Sequence, residues 1–321
     1  MKISDDISVV IPTYNGSKFI EDTIKSIYSQ TVLPREIIVV DDVSTDNTKE
    51  IVKGLQDISP VPLYFIQLDK NSGGPAKPIN VGVEKAKGEY IAICEQDDLM
   101  LPNKIEMIDK FIKLEPKVQF IISRYNVLVS NNVKCAINDD SYSEFESIKK
   151  ILLKEPYFYF EEKSAYKKAL EKCFAASLSN MCFSKSLWCA LDGLNEKIKR
   201  AVDWDFLLRV SHSYKIGWID KRLWEFRRHS ESIVRKTDII MWGHDYINIW
   251  ETQLELLKDV EELSCVRKRF NEQLAGVAYW AREKGAYKFS LKCYIRQLLI
   301  CRNPHSIIDL IKLGIHFIIK K

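Results

Sequence analysis

Four short apolar runs, Ile7–Ile11, Glu36–Val40, Leu63–Leu68 and Tyr90–Cys94, alternate with segments whose apolar residues recur at helical spacing. This alternation constrains the fold more than any other feature of the chain. Runs of this length, rich in β-branched residues, read as buried strands. Between the first two, Phe19, Ile20, Ile24, Ile27 and Tyr28 line one face of a helix. Strands joined through helices by short connections favour a mostly parallel, doubly wound sheet flanked by helices, so the expected fold class is α/β. Three of the strand ends carry polar loops, Pro12–Gly16, Asp41–Asp46 and Glu95–Asp98. In such sheets ligands sit outside the carboxyl ends of the strands, so these loops are expected to meet around one crevice.

The local punctuation is equally specific. Ser17 is placed to cap the first helix, and Asp46 a second over Thr48–Leu55. Asn71–Pro78 is a Gly/Pro-rich loop before a helix over Ile79–Lys87, which Gly88 ends. Beyond Gly88 the apolar strand Tyr90–Cys94 runs directly into Glu95, Gln96, Asp97 and Asp98. Clustered carboxylates repel one another, and a hard divalent cation that prefers oxygen ligands would hold them together. The other reading is a solvated acidic turn capping a helix that starts near Pro102.

Several function classes are excluded. The first strand is followed by Pro-Thr-Tyr-Asn-Gly, which is neither the G-x-G-x-x-G of dinucleotide binding nor a P-loop. It also lacks the Gly-rich basic loop expected of a sugar-nucleotide pyrophosphorylase. A net charge of +4 over 321 residues gives no footprint for nucleic acid. Eight cysteines without a C-x-x-C pair or zinc spacing fit a reducing compartment better than a disulfide framework. The expected location is cytoplasmic, without a signal peptide or membrane span. What remains is a crevice that binds a nucleotide through carboxylates and its pyrophosphate through a metal ion.

The segments ISVVIPTYNG, EIIVVDDVSTDNT, NSGGPAKPINVGVEKAKGEYIA and the EQDD cluster together resemble glycosyltransferase family 2 over about residues 7 to 125. The resemblance implies a GT-A fold, inversion at the anomeric carbon and a divalent metal, Mn²⁺ or Mg²⁺. It implies a nucleotide-sugar donor, a UDP-sugar as the leading case, and a saccharide or lipid-linked saccharide acceptor in bacterial surface-polysaccharide synthesis. By the family pattern Pro12 and Tyr14 border the base and Asp42 hydrogen-bonds it. Glu95, with Gln96 beside it, stands near the ribose in place of the first Asp of the family's D-x-D, and Asp97 is its metal-binding member. Further on, LDGLNEKIKRAVDWDFLLR resembles the family's acceptor turn and helix, which makes Asp203 the general base. Asp203 could equally cap the helix over Trp204–Val210, with Asp205 a rival carboxylate facing its flank. RLWEFRRHSES resembles the closing strand, with His229 as metal ligand or pyrophosphate contact beside Arg227 and Arg228.

The sequence departs from the pattern at four places. Glu95 replaces Asp, and Val202 replaces the Glu before the base. Ile79 replaces an Arg, which leaves Lys77 as the nearest cation for the pyrophosphate. Val43 replaces a Gly, so that turn is expected to need no positive φ. The middle region offers less, with a turn expected at Asn131-Asn132 and the aromatic run at 157–160 read as core, or else as a patch that stacks on sugar rings. The catalytic domain is expected over 1–235, its donor half about 1–125 and its acceptor half about 126–235.

Four helices are expected beyond it, over roughly 238–262, 264–284, 286–301 and 305–319. In the last, Asp309, Lys312, His316 and Lys320 form a narrow polar stripe opposite a wide apolar face. Nine basic residues from Trp280 onward face only Glu283 and Asp309. Such a helix suits an anionic membrane surface, on the inner face of the plasma membrane, and equally suits packing on the catalytic domain or a second subunit. A non-catalytic nucleotide-sugar-binding relative and a membrane-docked scaffold remain as alternative functions.

Overall fold

The structure, a computed structural model, describes residues 2–129, 148–230 and 238–319, the last five by backbone alone. The turn expected at Asn131-Asn132 and the domain boundary expected near 235 lie outside the described residues. The chain divides into a unit of residues 1–232 and a unit of residues 233–321.

The first unit is built on one sheet. Its strands are β1 (Lys2–Thr13), β2 (Val32–Asp41), β3 (Leu63–Gln67), β4 (Tyr90–Ile93), β5 (Leu99–Met100), β6 (Phe120–Val129), β7 (Ile151–Lys154), β8 (Tyr157–Phe160), β9 (Cys182–Ser184) and β10 (Ile216–Arg228). They lie in the order β3-β2-β1-β4-β9-β6-β10-β8-β7, with β5 pairing the far half of β10. β1 through β4 are mutually parallel. β9 is inserted antiparallel between β4 and β6, and β6 pairs β10 in parallel. The carboxyl ends of β1, β2, β4, β6 and β10 therefore open on one edge. The sheet crosses without interruption from the expected donor half into the expected acceptor half.

Helices α1 (Ile20–Tyr28), α2 (Thr48–Gln56), α3 (Ala76–Lys85) and α4 (Lys104–Leu114) fill the crossovers, followed by α5 (Tyr166–Glu171), α6 (Lys185–Ala190) and α7 (Val202–Ser213). α1 buries Ile20, Ile24 and Ile27, the face its spacing announced, against Ile7, Val9, Ile37 and Val39. β4 is buried along its whole length. Each large aliphatic side chain so buried contributes roughly 1.5–3 kcal/mol, which fixes the strand in the centre of the sheet. On the opposite face a Cβ on Gly82 of α3 would stand 2.5 Å from Cγ1 of Val10, so this glycine lets helix and strand approach closely.

Several local expectations are corrected. α3 begins at Ala76, with Pro78 in its first turn, where its missing N–H costs nothing. The first helix is not capped by Ser17. Its N-cap is Phe19, and the Ser17 amide instead donates to Oδ2 of Asp46 at 3.1 Å. Asp46 does accept from the Thr48 amide, from one residue before the formal cap Asn47. In the aromatic run Tyr157 and Phe160 are buried and Phe158 and Tyr159 half-buried, as expected of core.

The clearest correction is Val43, whose φ is +66°. This left-handed conformation is strained for a β-branched side chain. It persists because its neighbours determine it: the Asp41 carboxylate accepts from the amide and hydroxyl of Ser44, while the Asp42 amide and carbonyl bond to Thr13 and Asn71.

The second unit contains α8 (Ile239–Leu256), α9 (Val260–Glu283), α10 (Tyr287–Leu299) and α11 (Ser306–Ile319). The first break falls at residues 257–259 rather than at 263, because Asp259 caps α9 by accepting from the Glu262 amide. Among the described residues no helix is long and apolar enough to cross a membrane.

Candidate active site

The three polar loops do converge, and side-chain amides and hydroxyls bind them together. Asn15, after β1, accepts the Thr45 amide on Oδ1 at 2.8 Å and donates its own amide to Ser44 at 2.8 Å. The loops after β1 and β2 are thereby locked. Gln96, after β4, accepts from the Thr13 hydroxyl at 2.6 Å and the Tyr14 amide at 2.9 Å. Gly16 packs against that amide, and any Cβ there would lie 2.4 Å from Oε1 of Gln96. The Gln96 side chain thus joins two strand ends. Pro12 is buried next to the end of β1, and the Tyr14 ring stands 46% exposed at the mouth, free to meet a flat ligand.

Asp42 is buried, and its carboxylate accepts from the amide and hydroxyl of Ser72 at 2.8 and 2.9 Å. It therefore holds the loop before α3. The same loop meets the segment ahead of α7, where a Cβ on Gly74 would stand 2.8 Å from the Lys199 carbonyl. Lys77 pairs with Glu196 at 3.3 Å on the surface of this region. Asn80 of α3 clasps the neighbouring turn, donating to the Leu194 carbonyl at 2.9 Å and accepting the Leu194 amide at 3.0 Å.

The acidic cluster separates into distinct environments. Asp98 is fully buried, and its Oδ1 accepts the Arg227 amide at 2.9 Å, which fastens the end of β4 to the end of β10. Burial, then the charges of Asp97 and Glu95, push its carboxyl well above the usual range. Asp97 faces His229, with Oδ2 and Nε2 2.8 Å apart. The imidazole is buried and packs at a tilt against Phe19 at a centroid distance of 4.4 Å, and the Arg227 guanidinium lies over the same Phe19 ring. Glu95 turns the other way. Its carboxylate accepts from the Ser177 hydroxyl and its amide donates to Ser179 at 2.8 Å. Burial first, and then the charge of Asp97, push it up to about 8. Behind the cluster the fully buried Lys104 donates to the Ser179 carbonyl at 2.5 Å and lies over the Trp224 ring.

Asp203 sits in the first turn of α7, half-buried, inside the helix rather than before it. The cap position is Ala201. Its Oδ1 accepts the Trp204 amide at 2.8 Å and its Oδ2 the Cys173 thiol at 3.5 Å. Burial raises it to about 6, and its charge reaches Glu95. Asp205 does not face the helix flank. It is fully buried and paired with Arg209 at 2.7 Å, which removes it as a rival.

Most of the expected residues therefore lie along one sheet edge. Phe19, Cys173, Ser177, Ser179 and Lys104 were not legible beforehand, since each is an ordinary residue whose role comes from a contact distant in sequence.

A profile described as glycosyl transferase family 2 matches residues 8–174, just over half of the chain. Glycosyltransferase GlyG of Streptococcus pneumoniae is 30% identical over 274 residues, which cover 84% of this chain and 86% of that protein. The chain belongs to glycosyltransferase family 2. The hyaluronan synthase of Pasteurella multocida is 28% identical over 242 residues, but the chain spans only 22% of that protein's length. Among solved structures, Staphylococcus aureus TarS 1–349 in complex with UDP-GlcNAc superposes with a TM-score of 0.68 at 20% identity, covering 92% of this chain and 80% of that one. The fold of this family 2 enzyme is thus of the GT-A type.

Proposed function

We propose that this glycosyltransferase moves a sugar from a nucleotide-sugar donor to an acceptor hydroxyl with inversion, in the assembly of a cell-surface polysaccharide or glycolipid. The observation that carries the reading is the meeting of Asp97 with His229, 132 positions apart, on the edge where the Cys173–Ser177 segment links Asp203 to Glu95. A UDP-sugar is the leading donor, by analogy with the UDP-GlcNAc complex of TarS. Pro12 and Tyr14 border the base, and Asp42 acts at its edge by shaping the loop at Ser72. Glu95 and Gln96 form the floor near the ribose, and Lys77 is the nearest cation for the diphosphate.

A sugar hydroxyl is a poor nucleophile and needs a base in hydrogen-bond reach. Asp203 takes its proton as the acceptor oxygen bonds to the anomeric carbon, and the bond from that carbon to the diphosphate oxygen breaks. A carboxylate raised to about 6 remains ionised at neutral pH and is a stronger base than an exposed one.

The site suits a divalent ion. Asp97 offers oxygen and His229 an imidazole nitrogen, a mixed donor set that such an ion accepts. Among the described residues no group of three or more His, Cys, Asp or Glu could hold a metal ion by itself. Asp97 and His229 would therefore share Mn²⁺ or Mg²⁺ with donor phosphates, as hard cations commonly do. The ion would neutralise charge on the departing diphosphate. Exposed Ile307, Ile308 and Ile311 on α11, in a basic segment, favour peripheral binding to anionic lipid.

The test is sugar transfer from a panel of nucleotide-sugars, with Asp203→Asn beside the parent. Nucleoside diphosphate binding should survive in the variant and transfer should vanish. Transfer at the parent rate would remove Asp203 from the mechanism.

A further inference from the structure

The segment Cys173–Ser179 touches both site carboxylates. At one end the Cys173 thiol lies 3.5 Å from Oδ2 of Asp203, and at the other the Ser177 hydroxyl donates to Glu95. We propose that Cys173 is a positioning residue for Asp203: its thiol donates to Oδ2, fixes the rotation of that carboxylate and tunes its strength as a base. The inference rests on the reading of Asp203 as the acceptor-activating group.

The thiol is the donor in this contact, since an ionised carboxylate can only accept. The backbone amides of Ala175 and Ala176 also act on the thiol, against the larger effect of burial. Burial, then the charge of Asp203, drives the thiol well above its usual range. Cys173 is therefore a permanent S–H donor and no nucleophile, because only a thiolate attacks.

On the Asp203 carboxylate the Trp204 amide holds Oδ1 and the thiol holds Oδ2. The titratable groups acting there are Cys173, on the segment after α5, and Glu95, at the end of β4. The neighbouring Asp205 on α7 is buried and its charge is taken up by Arg209. A donor to the ionised form of a carboxyl lowers its pKa, so the thiol offsets part of the effect of burial. Without it Asp203 would rotate more freely and protonate at higher pH.

The test is the pH profile of kcat/KM for Cys173→Ala and Cys173→Ser, with donor KM and thermal stability measured in parallel. In the alanine variant the acid limb should move up by about half to one pH unit, with donor KM unchanged. In the serine variant, whose hydroxyl is a better donor, the limb should return to the parent position or below it. An alanine limb that coincides with the parent's, or a serine limb that rises like alanine's, overturns the proposal. Should the alanine variant fail to fold, the serine limb alone decides. Failure of the base reading is separately visible, since Asp203→Asn would then retain transfer while the cysteine variants changed nothing.

Discussion

Nε2 of His229 lies 2.8 Å from Oδ2 of Asp97, and this contact closes the candidate site between the ends of β4 and β10. The contact follows from strand direction. β10 pairs β6 in parallel, and both run with β4, so the residue after β10 emerges on the edge where the acidic cluster ends β4. Phe19 at the start of α1 then supports the imidazole from one side.

Replacing either partner should uncouple nucleotide binding from the metal. With the parent protein, UDP should raise the melting temperature more in Mn²⁺ than in EDTA. Asp97→Asn and His229→Ala should each abolish that difference without unfolding the protein. A metal-dependent increment that survives in both variants would remove the pair from the metal site.

The acid limb of the transfer reaction should fall near pH 6, the value to which burial raises Asp203. The sign for stability is opposite to that of an ordinary paired carboxylate. A folded-state pKa above the unfolded one means that the native state binds the proton more tightly. The charged form therefore disfavours the fold above about pH 6, and this term is relieved as the pH falls toward the unfolded value of about 4. Asp203→Asn should be inactive yet at least as stable as the parent at pH 7, by thermal denaturation across pH 5 to 8.

The two carboxylates of α7 should respond in opposite ways. Arg209 pairs with buried Asp205 and also donates to the carbonyls of Leu191 and Gly193 at 2.7 and 2.9 Å. Arg209→Ala leaves a buried charge uncompensated and should cost ~3–5 kcal/mol in urea denaturation. A cost below ~1 kcal/mol would show that the pair is dispensable.

Val43→Gly should relieve backbone strain. A residue held at unfavourable positive φ costs of order 1–3 kcal/mol, against roughly 0.5–1 kcal/mol for the greater freedom of glycine in the unfolded chain. The variant should melt at a temperature equal to or above the parent's, and a clear fall would mean that Val43 contributes packing that outweighs the strain.

Deleting 303–321 should release the protein from phosphatidylglycerol vesicles and spare transfer to a soluble acceptor. The exposed Ile307, Ile308 and Ile311 carry the apolar part of this binding. Leu313, by contrast, is buried, so only part of the expected apolar face is open. Undiminished sedimentation of the truncated protein with such vesicles would refute the anchoring.

The alternation of strands and helices, the central place of Tyr90–Ile93 and the polar loops at the strand ends were determined by sequence alone, because burial repeats with the period of each element and is set by nearby residues. Asp97 and His229 could be named from their motifs, but their contact could not, since nothing local specifies the parallel pairing of β6 with β10. Tertiary structure alone decided the positive φ of Val43, which the Asp41 carboxylate and the backbone bonds of Asp42 to Thr13 and Asn71 impose on a residue that avoids it. It also decided that Glu95 reaches Ser177, that Asp205 belongs to Arg209, and that Asp203 shares its proton-accepting oxygens with the Cys173 thiol. Periodicity is a one-dimensional signal and specifies elements. Hydrogen bonds between residues tens of positions apart depend on how those elements pack, and the chemistry of the site resides in those bonds.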